Sequence, residues 1–353
     1  MTVHVQSVMQ RFMWRYLAIV LTLCLVVSVA YLDVQARYRT MPDIEEEWNA
    51  SMRRRNLLKR SEWWRNDDQW SSVEESVSDL FDSEERSDTN PKKGTKRRLP
   101  GAIIIGVKKG GTRALLEMLR LHPDVVAPGP EIHFFDRHYD KGLHWYRNQM
   151  PLSRSGQLTM EKTPGYLVTP GAPWRVSSMS KDVRLLLVVR DPVTRALSDY
   201  AQAASKRTQD TRSFEDMAFR NASTGLVDAD WSAIRLGQYA KHLERWLRYF
   251  PLSQIFVVSG EKLVEDPVQE LQAVQKFLGL RPLIGEQHFF FNQSKGFPCL
   301  RKAPQSKVPR CLGKTKGRSH PIVAPPALQR LRDFFRPFNQ KFYRMVDRNF
   351  GWS

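Results

Sequence analysis

Gly101 to Leu119 reads "GAIIIGVKKGGTRALLEML", and this stretch decides the fold. A β-branched apolar run, 102–107, gives way to a glycine turn carrying two lysines, and helical periodicity follows over 113–121. Backbone N–H groups in such a turn, at the start of a helix, make a site for an anion. Gly106 and Gly111 keep the spacing of the Walker A pattern G-x-x-x-x-G-K-[ST], but Thr112 stands where that pattern needs its lysine. Lys108 and Lys109 precede the glycines instead. A nucleotide triphosphatase or kinase needs that lysine at the terminal phosphates and an acidic ligand for magnesium. The loop therefore points to a phosphate compound of another kind.

Two further apolar runs, "RLLLVV" at 184–189 and "QIFVVS" at 254–259, are short and bounded by charge or glycine, as buried parallel strands are. Helical periodicity follows at 192–206, 239–250 and 267–280. This alternation predicts an α/β domain, a P-loop-like parallel sheet flanked by helices, with ligands at the carboxyl ends of the strands. One such end carries a second polar group, "VVRDPVTRALSDYAQAASK". Asp191 is placed as N-cap, with Pro192 at the first helical position. Ser198, Gln202 and Lys206 follow at intervals of four, which puts a hydroxyl, an amide and an ammonium on one helical face. Together with Arg190 at the strand end, Ser198 can grip a second phosphate near the first. A solvated polar face would use the same residue types.

The charge balance says what kind of partner to expect. Among 353 residues, 55 Lys and Arg against 37 Asp and Glu give a net charge of +18, which implies a polyanion. Residues 100–353 alone hold 39 bases and 22 acids, nearly the whole excess. Ahead of them, Tyr16 to Leu32 is an uncharged run of 17 residues, near the lower limit of about 17 to 25 for a membrane-spanning helix. Arg11 and Arg15 favour a cytoplasmic tail over 1–15, although Arg37 and Arg39 weaken the asymmetry. Residues 16–32 are thus expected to be a retained signal-anchor rather than a cleaved signal peptide, with the rest of the chain luminal. A nucleic-acid partner is disfavoured on that basis. Residues 33–99 carry blocks of one sign, "DIEEEW", "RRRNLLKR" and "KKGTKRR", the composition of a luminal stem. Cys299 and Cys311 read as a disulfide rather than half of a zinc site, which would need two more ligands; the loop-closure model gives such a bridge about 3 kcal/mol. Asn49, Asn221 and Asn292 begin glycosylation sequons.

Taken together, "KKGGTR" after a strand and "RDPVTRALSDY" resemble the two phosphosulfate-binding elements of Golgi sulfotransferases. With "EIHFFD", "MEKTPGY", "SKGFPCL", "CLGKTKGRSHP" and the closing "FGW", the likeness narrows to the heparan sulfate glucosamine 3-O-sulfotransferases, over roughly 100–352. The segments "HFFDRHYDKGLHWYR", "MEKTPGYLVTP" and "SDYAQAASK" look closer to the subtypes that make glycoprotein D receptors than to the antithrombin-site subtype. Gly129 stands where that subtype carries a bulky acid.

The resemblance implies a donor, 3'-phosphoadenosine 5'-phosphosulfate, whose transfer chemistry requires no metal, and heparan sulfate as acceptor. It assigns Lys109, Gly110, Gly111, Thr112 and Arg113 to the 5'-phosphosulfate, and Arg190 and Ser198 to the 3'-phosphate. Thr315, Lys316, Gly317, Arg318 and Ser319 complete the donor set. Glu131 matches the base that takes the proton of the acceptor hydroxyl, supported by His133 and Asp136, and Lys109 and Lys162 stand among the catalytic residues. Lys108, Arg113, Arg137, Lys162, Thr163, Pro164, Gly165, Gln202, Lys206, Trp231, Ser232, Lys316 and Arg318 match positions toward the acceptor. A Golgi membrane location, as a single-pass type II protein, is implied as well. Two other readings stay open at this point. One is a sulfotransferase for another glycan position; the other is a glycan-binding protein without catalysis, which would not need Glu131 together with both phosphosulfate elements.

Overall fold

The computed structural model describes residues 94–206, 212–221, 225–294, 296–301, 311 and 319–352. Residues 16–32, most of 33–99, Asn49 and Thr315 to Arg318 lie outside them. Five parallel strands build the central sheet: β1 (Ala102–Gly106), β2 (Val125–Val126), β3 (Leu158–Lys162), β4 (Arg184–Val189) and β5 (Ile255–Ser259). Their order across the sheet is β2-β3-β1-β4-β5. The switch in strand order flanks β1, so the loop after β1 lies where such sheets bind ligands.

Strand periodicity explains why both faces of the sheet are covered. Ile103, Ile105, Leu185, Leu187, Val189, Ile255 and Val257 enter one apolar core, with Trp246 and Phe342. Their neighbours Ala102, Ile104, Leu186, Val188 and Val258 enter the other, with Leu115, Leu119, Leu271 and Val274. The helices that position the site are α1 (Thr112–Leu119), α2 (Phe134–Arg137), α3 (Pro192–Ala204), α4 (Ser232–Arg235), α5 (Tyr239–Leu247), α6 (Pro267–Phe277) and α7 (Pro325–Val346).

The three expected strands and four expected helices are all present, β4 with the expected bounds and the others shorter at an end. α3 stops at Ala204, because the Lys206 N–H turns back to the Ala203 carbonyl at 3.0 Å. Lys206 therefore lies past the helix rather than on its polar face. α6 stops at Phe277, two residues before Gly279 turns left-handed at φ +68°. β3 and α7 were not expected. β3 reads "LTMEK", yet it sits between β2 and β1 with Thr159, Glu161 and Lys162 buried. The fold also reaches back before Pro100, since Lys96–Arg97 pairs with Leu152–Ser153. No helix among the described residues is long and apolar enough to cross a membrane.

Candidate active site

The loop after β1 is held against the neighbouring strand end. The Val107 N–H donates to the Val188 carbonyl at 2.8 Å, and the Gly110 N–H to the Val107 carbonyl at 2.9 Å. A Cβ on Gly110 would fall 2.6 Å from the Val188 carbonyl oxygen, and one on Gly260 would fall 2.2 Å from the Gly110 carbonyl oxygen. Only glycines permit this close stacking of backbones. Gly111 caps α1 at φ 113°, and Lys109 is itself left-handed at φ 69°, an uncommon conformation for a residue with a side chain. Thr112 then opens α1 almost fully buried. Lys109 converges with Arg190 and His320: partial burial and these two cations together push His320 below its ordinary range. Such a gathering of positive charge at a helix start suits a phosphate ester.

Arg190 is fixed through its backbone. Its carbonyl accepts from the Tyr239 hydroxyl at 2.6 Å, and the next N–H, of Asp191, donates to Glu261 Oε1 at 2.7 Å. The Asp191 side chain accepts the Thr194 N–H, so the expected N-cap is present. Ser198 and Gln202 follow, half-buried, one turn apart on α3. Between them, Asp199 binds Lys108 Nζ at 3.2 Å and Arg195 at 2.9 Å. Burial would raise Asp199, but those two cations hold it below the usual carboxylate range. The fully buried Arg195 guanidinium also donates to the carbonyls of Lys108 and Ala233, linking the loop after β1 to α3 and α4. Lys108 therefore reaches the site from the side of Asp199. Trp231 and exposed Ser232 begin α4, with the Trp231 ring 5.5 Å from Phe214.

The second cluster gathers around Glu131. Its Oε1 accepts from Lys162 Nζ, and its Oε2 lies 3.3 Å from His133 Nε2. His133 Nδ1 is 2.8 Å from Asp136 Oδ2. Burial alone would raise the Glu131 carboxyl, yet the Lys162 charge and the His133 hydrogen bond outweigh it and bring it to about 2. His133 moves the other way: burial would lower it, but its bonds to Asp136 and Glu131 lift it to about 9. The result is a row of alternating charge, Asp136, His133, Glu131, Lys162. Arg113 braces this row, since its guanidinium donates to the Gly129 carbonyl and pairs with Glu117 at 2.8 Å. Gly165 lets the row close, because a Cβ there would fall 2.8 Å from Asp136 Oδ2.

The structure thus brings Lys109, Gly110, Gly111, Thr112 and Arg190 to the carboxyl edge of the sheet, and joins Glu131, His133, Asp136 and Lys162 in one cluster. Thr163 and Pro164 are buried directly after β3, while Arg137 and Ser319 are exposed. Thr315, Lys316, Gly317 and Arg318 fall outside the described residues. Cys299, within the second strand of the hairpin Phe289–Asn292 and Phe297–Leu300, is joined to Cys311 as a disulfide. Among the described residues, no group of three or more His, Cys, Asp and Glu is placed to hold a metal ion. Sequence reasoning missed Glu161, Asp199, Arg195 and Glu261, each of which has at least one partner distant in the chain. Only the i,i+4 pair of Arg195 and Asp199 could have been read from spacing.

The sulfotransferase domain family matches residues 99–346, and this match, with a glycine loop that departs from Walker A, defines the class as sulfotransferase. The solved sulfotransferase of Alicyclobacillus acidocaldarius has the same fold, with a TM-score of 0.54 at 22% identity over 71% of this chain and 97% of that one. Mouse heparan sulfate glucosamine 3-O-sulfotransferase 3B1 is 65% identical over 257 residues, 73% of this chain and 66% of its own length. Mouse heparan sulfate glucosamine 3-O-sulfotransferase 6 is 60% identical over 258 residues, 73% of this chain and 75% of its own. The human protein named heparan sulfate glucosamine 3-O-sulfotransferase 5 is 48% identical over 261 residues, 72% of this chain and 75% of its own. The chain belongs to the heparan sulfate glucosamine 3-O-sulfotransferase family. It spans about two thirds of the length of the 3B1 relative.

Proposed function

We propose that this protein transfers a sulfuryl group from 3'-phosphoadenosine 5'-phosphosulfate to the 3-hydroxyl of glucosamine residues in heparan sulfate, with Glu131 as general base. The observation that carries this reading is the Glu131 cluster: a half-buried carboxylate, ionised and braced by Lys162 and His133, in a fold whose donor loop opens on the same sheet edge. A glycan-binding protein has no use for that arrangement. The donor suits the loop because Lys109 and Arg190 converge beside a helix start, where a phosphate or sulfate would balance their charge.

When bound, the donor supplies the activated sulfuryl group. The chain's residues do the rest. The backbone N–H groups of Gly110 to Thr112 orient the 5' end, and Lys109 neutralises charge at the bridging oxygen as that bond breaks. Arg190 and Ser198 hold the 3'-phosphate, which fixes the direction of approach. The acceptor hydroxyl gives its proton to Glu131 as its oxygen bonds to sulfur, and His133 and Asp136 keep the receiving carboxylate aligned. Lys108, Gln202, Trp231 and Ser232 lie toward the sulfated chain, and the excess of bases over acids gives binding that weakens with salt.

The expected setting completes the proposal. Residues 16–32 would anchor the protein in the Golgi membrane with a cytoplasmic tail, the residues between that anchor and Lys96 would form a stem, and Asn49, Asn221 and Asn292 would be open to glycosylation. Product subtype follows the nearer motifs, toward the disaccharides of glycoprotein D receptors. Incubating heparan sulfate with the purified chain and donor, followed by disaccharide analysis, tests the activity. New 3-O-sulfated glucosamine is expected; sulfate appearing only at other positions would overturn the assignment.

A further inference from the structure

Directly beneath the base cluster lies a second carboxylate that the proposed chemistry does not use. Glu161, the penultimate residue of β3, is fully buried. Its Oε1 accepts from the Tyr146 hydroxyl at 2.8 Å and its Oε2 from the Thr163 hydroxyl at 2.9 Å, while the Tyr166 hydroxyl also faces it. A hydroxyl has one proton to give. Because Thr163 gives its proton to Glu161, its oxygen lone pairs are left to accept, and the His133 N–H donates to it at 3.4 Å. The Tyr166 oxygen likewise accepts the Phe134 N–H at 2.9 Å. His133 is left-handed at φ 52°, so its backbone is held in a conformation that its own preferences disfavour.

We infer that Glu161 is a positioning residue for sulfuryl transfer: its carboxylate orients the Thr163 and Tyr166 hydroxyls, and those hydroxyls hold the left-handed turn that aims the His133 ring at Glu131. The inference rests on the function proposed above and deepens it. Burial pushes Glu161 up to about 7, so an uncharged form is accessible near neutrality. In that form the carboxyl must donate a proton itself, which sets it against one of the hydroxyls that now donate to it.

The test is Glu161→Gln in the full-length chain, measured beside wild type in the same transfer assay. The amide keeps the volume but has a single acceptor oxygen, so one hydroxyl must turn around. Turnover is expected to fall at least tenfold, while the Michaelis constants for donor and heparan sulfate stay within twofold. His133 is expected to titrate nearer the ordinary histidine range by imidazole NMR. On a His133→Ala background the same substitution should cost no further turnover, because the ring it aims is gone. Thr163→Val, which removes the hydroxyl, should lose turnover; it gives the answer if Glu161→Gln does not fold. A wild type that forms no 3-O-sulfate defeats the function itself. An active wild type with unchanged turnover in both Glu161→Gln and Thr163→Val overturns this inference alone, as does a fully additive loss with His133→Ala.

Discussion

The proposed donor side and the proposed base side of the site are built by different means. The donor loop is one continuous segment, 106–112, running between an apolar strand and a helix, and its shape comes from backbone contacts at Gly110 and Gly260. The base cluster is made of side chains from three separate places: the loop before α2, α2 itself and the end of β3. The first needs small residues at fixed spacing. The second needs charges that neutralise one another in a buried place, where an unpaired carboxylate would be costly. Damage to the donor side should therefore act on binding, and damage to the base side on turnover and its pH dependence.

Glu131→Gln should break the comparison most sharply if the roles are wrong. The amide keeps the shape but cannot take a proton, so turnover should fall by about 100- to 10,000-fold. Calorimetry with 3'-phosphoadenosine 5'-phosphate should show donor-site affinity near wild type. Transfer within tenfold of wild type would remove Glu131 as base.

Lys162→Ala sharpens the same side. With the ammonium gone, burial is less opposed at Glu131, whose carboxyl should rise from about 2. The acid limb of kcat/KM for the acceptor should then move to higher pH by about one unit or more, with an additional loss of turnover. An acid limb at the same pH in both proteins would show that Lys162 does not hold Glu131 ionised. His133→Ala reads the pairing through stability. His133 is raised from 6.5 to about 9, so its contribution is fully present below pH 6.5 and lost as pH rises through about 9. The wild-type melting temperature should decline across that window, and the alanine variant should lose that part of the decline.

These differences also explain what the sequence could and could not reveal. β1, β4 and β5 are uniform apolar runs, so burial of both faces was legible in them. β3 was not: its Thr159, Glu161 and Lys162 are buried because they hydrogen-bond partners contributed by remote segments, such as Ser153, Tyr146 and Glu131. Glycine spacing and the Asp191-Pro192 start located the donor elements without help. Glu131, His133 and Asp136 emerged only through resemblance, since nothing in the local sequence says that Lys162, 31 positions on, will meet Glu131. The long helix α7 escaped for a further reason. Pro337 lies inside it and interrupts the expected periodicity, yet the helix continues with Leu331, Phe335 and Phe342 buried on either side.

Gly110→Ala should be the larger of two donor-side effects. The added methyl would meet the Val188 carbonyl oxygen at 2.6 Å, a backbone atom that cannot swing aside. The loop must then shift, and the Michaelis constant for the donor should rise about tenfold, as for roughly 1.4 kcal/mol of lost binding. Heparan sulfate affinity should stay near wild type. Equal weakening of both substrates would mean that the two sides are one structural unit.

Ser198→Ala asks the same question with the least disturbance. Ser198 is half-buried on α3, one turn before Gln202, and beside the Asp199 that pairs with Lys108 and Arg195. Removing its hydroxyl leaves that pairing intact, so helix and loop should keep their places. One hydrogen bond to the 3'-phosphate would be lost, about 1 kcal/mol, which corresponds to a rise of a few-fold in the donor Michaelis constant. Turnover at saturating donor and affinity for heparan sulfate should both stay at wild-type values. A selective fall in heparan sulfate affinity, with the donor constant unmoved, would place Ser198 on the acceptor side. The boundary between the two sides would then run on the other side of this helical turn.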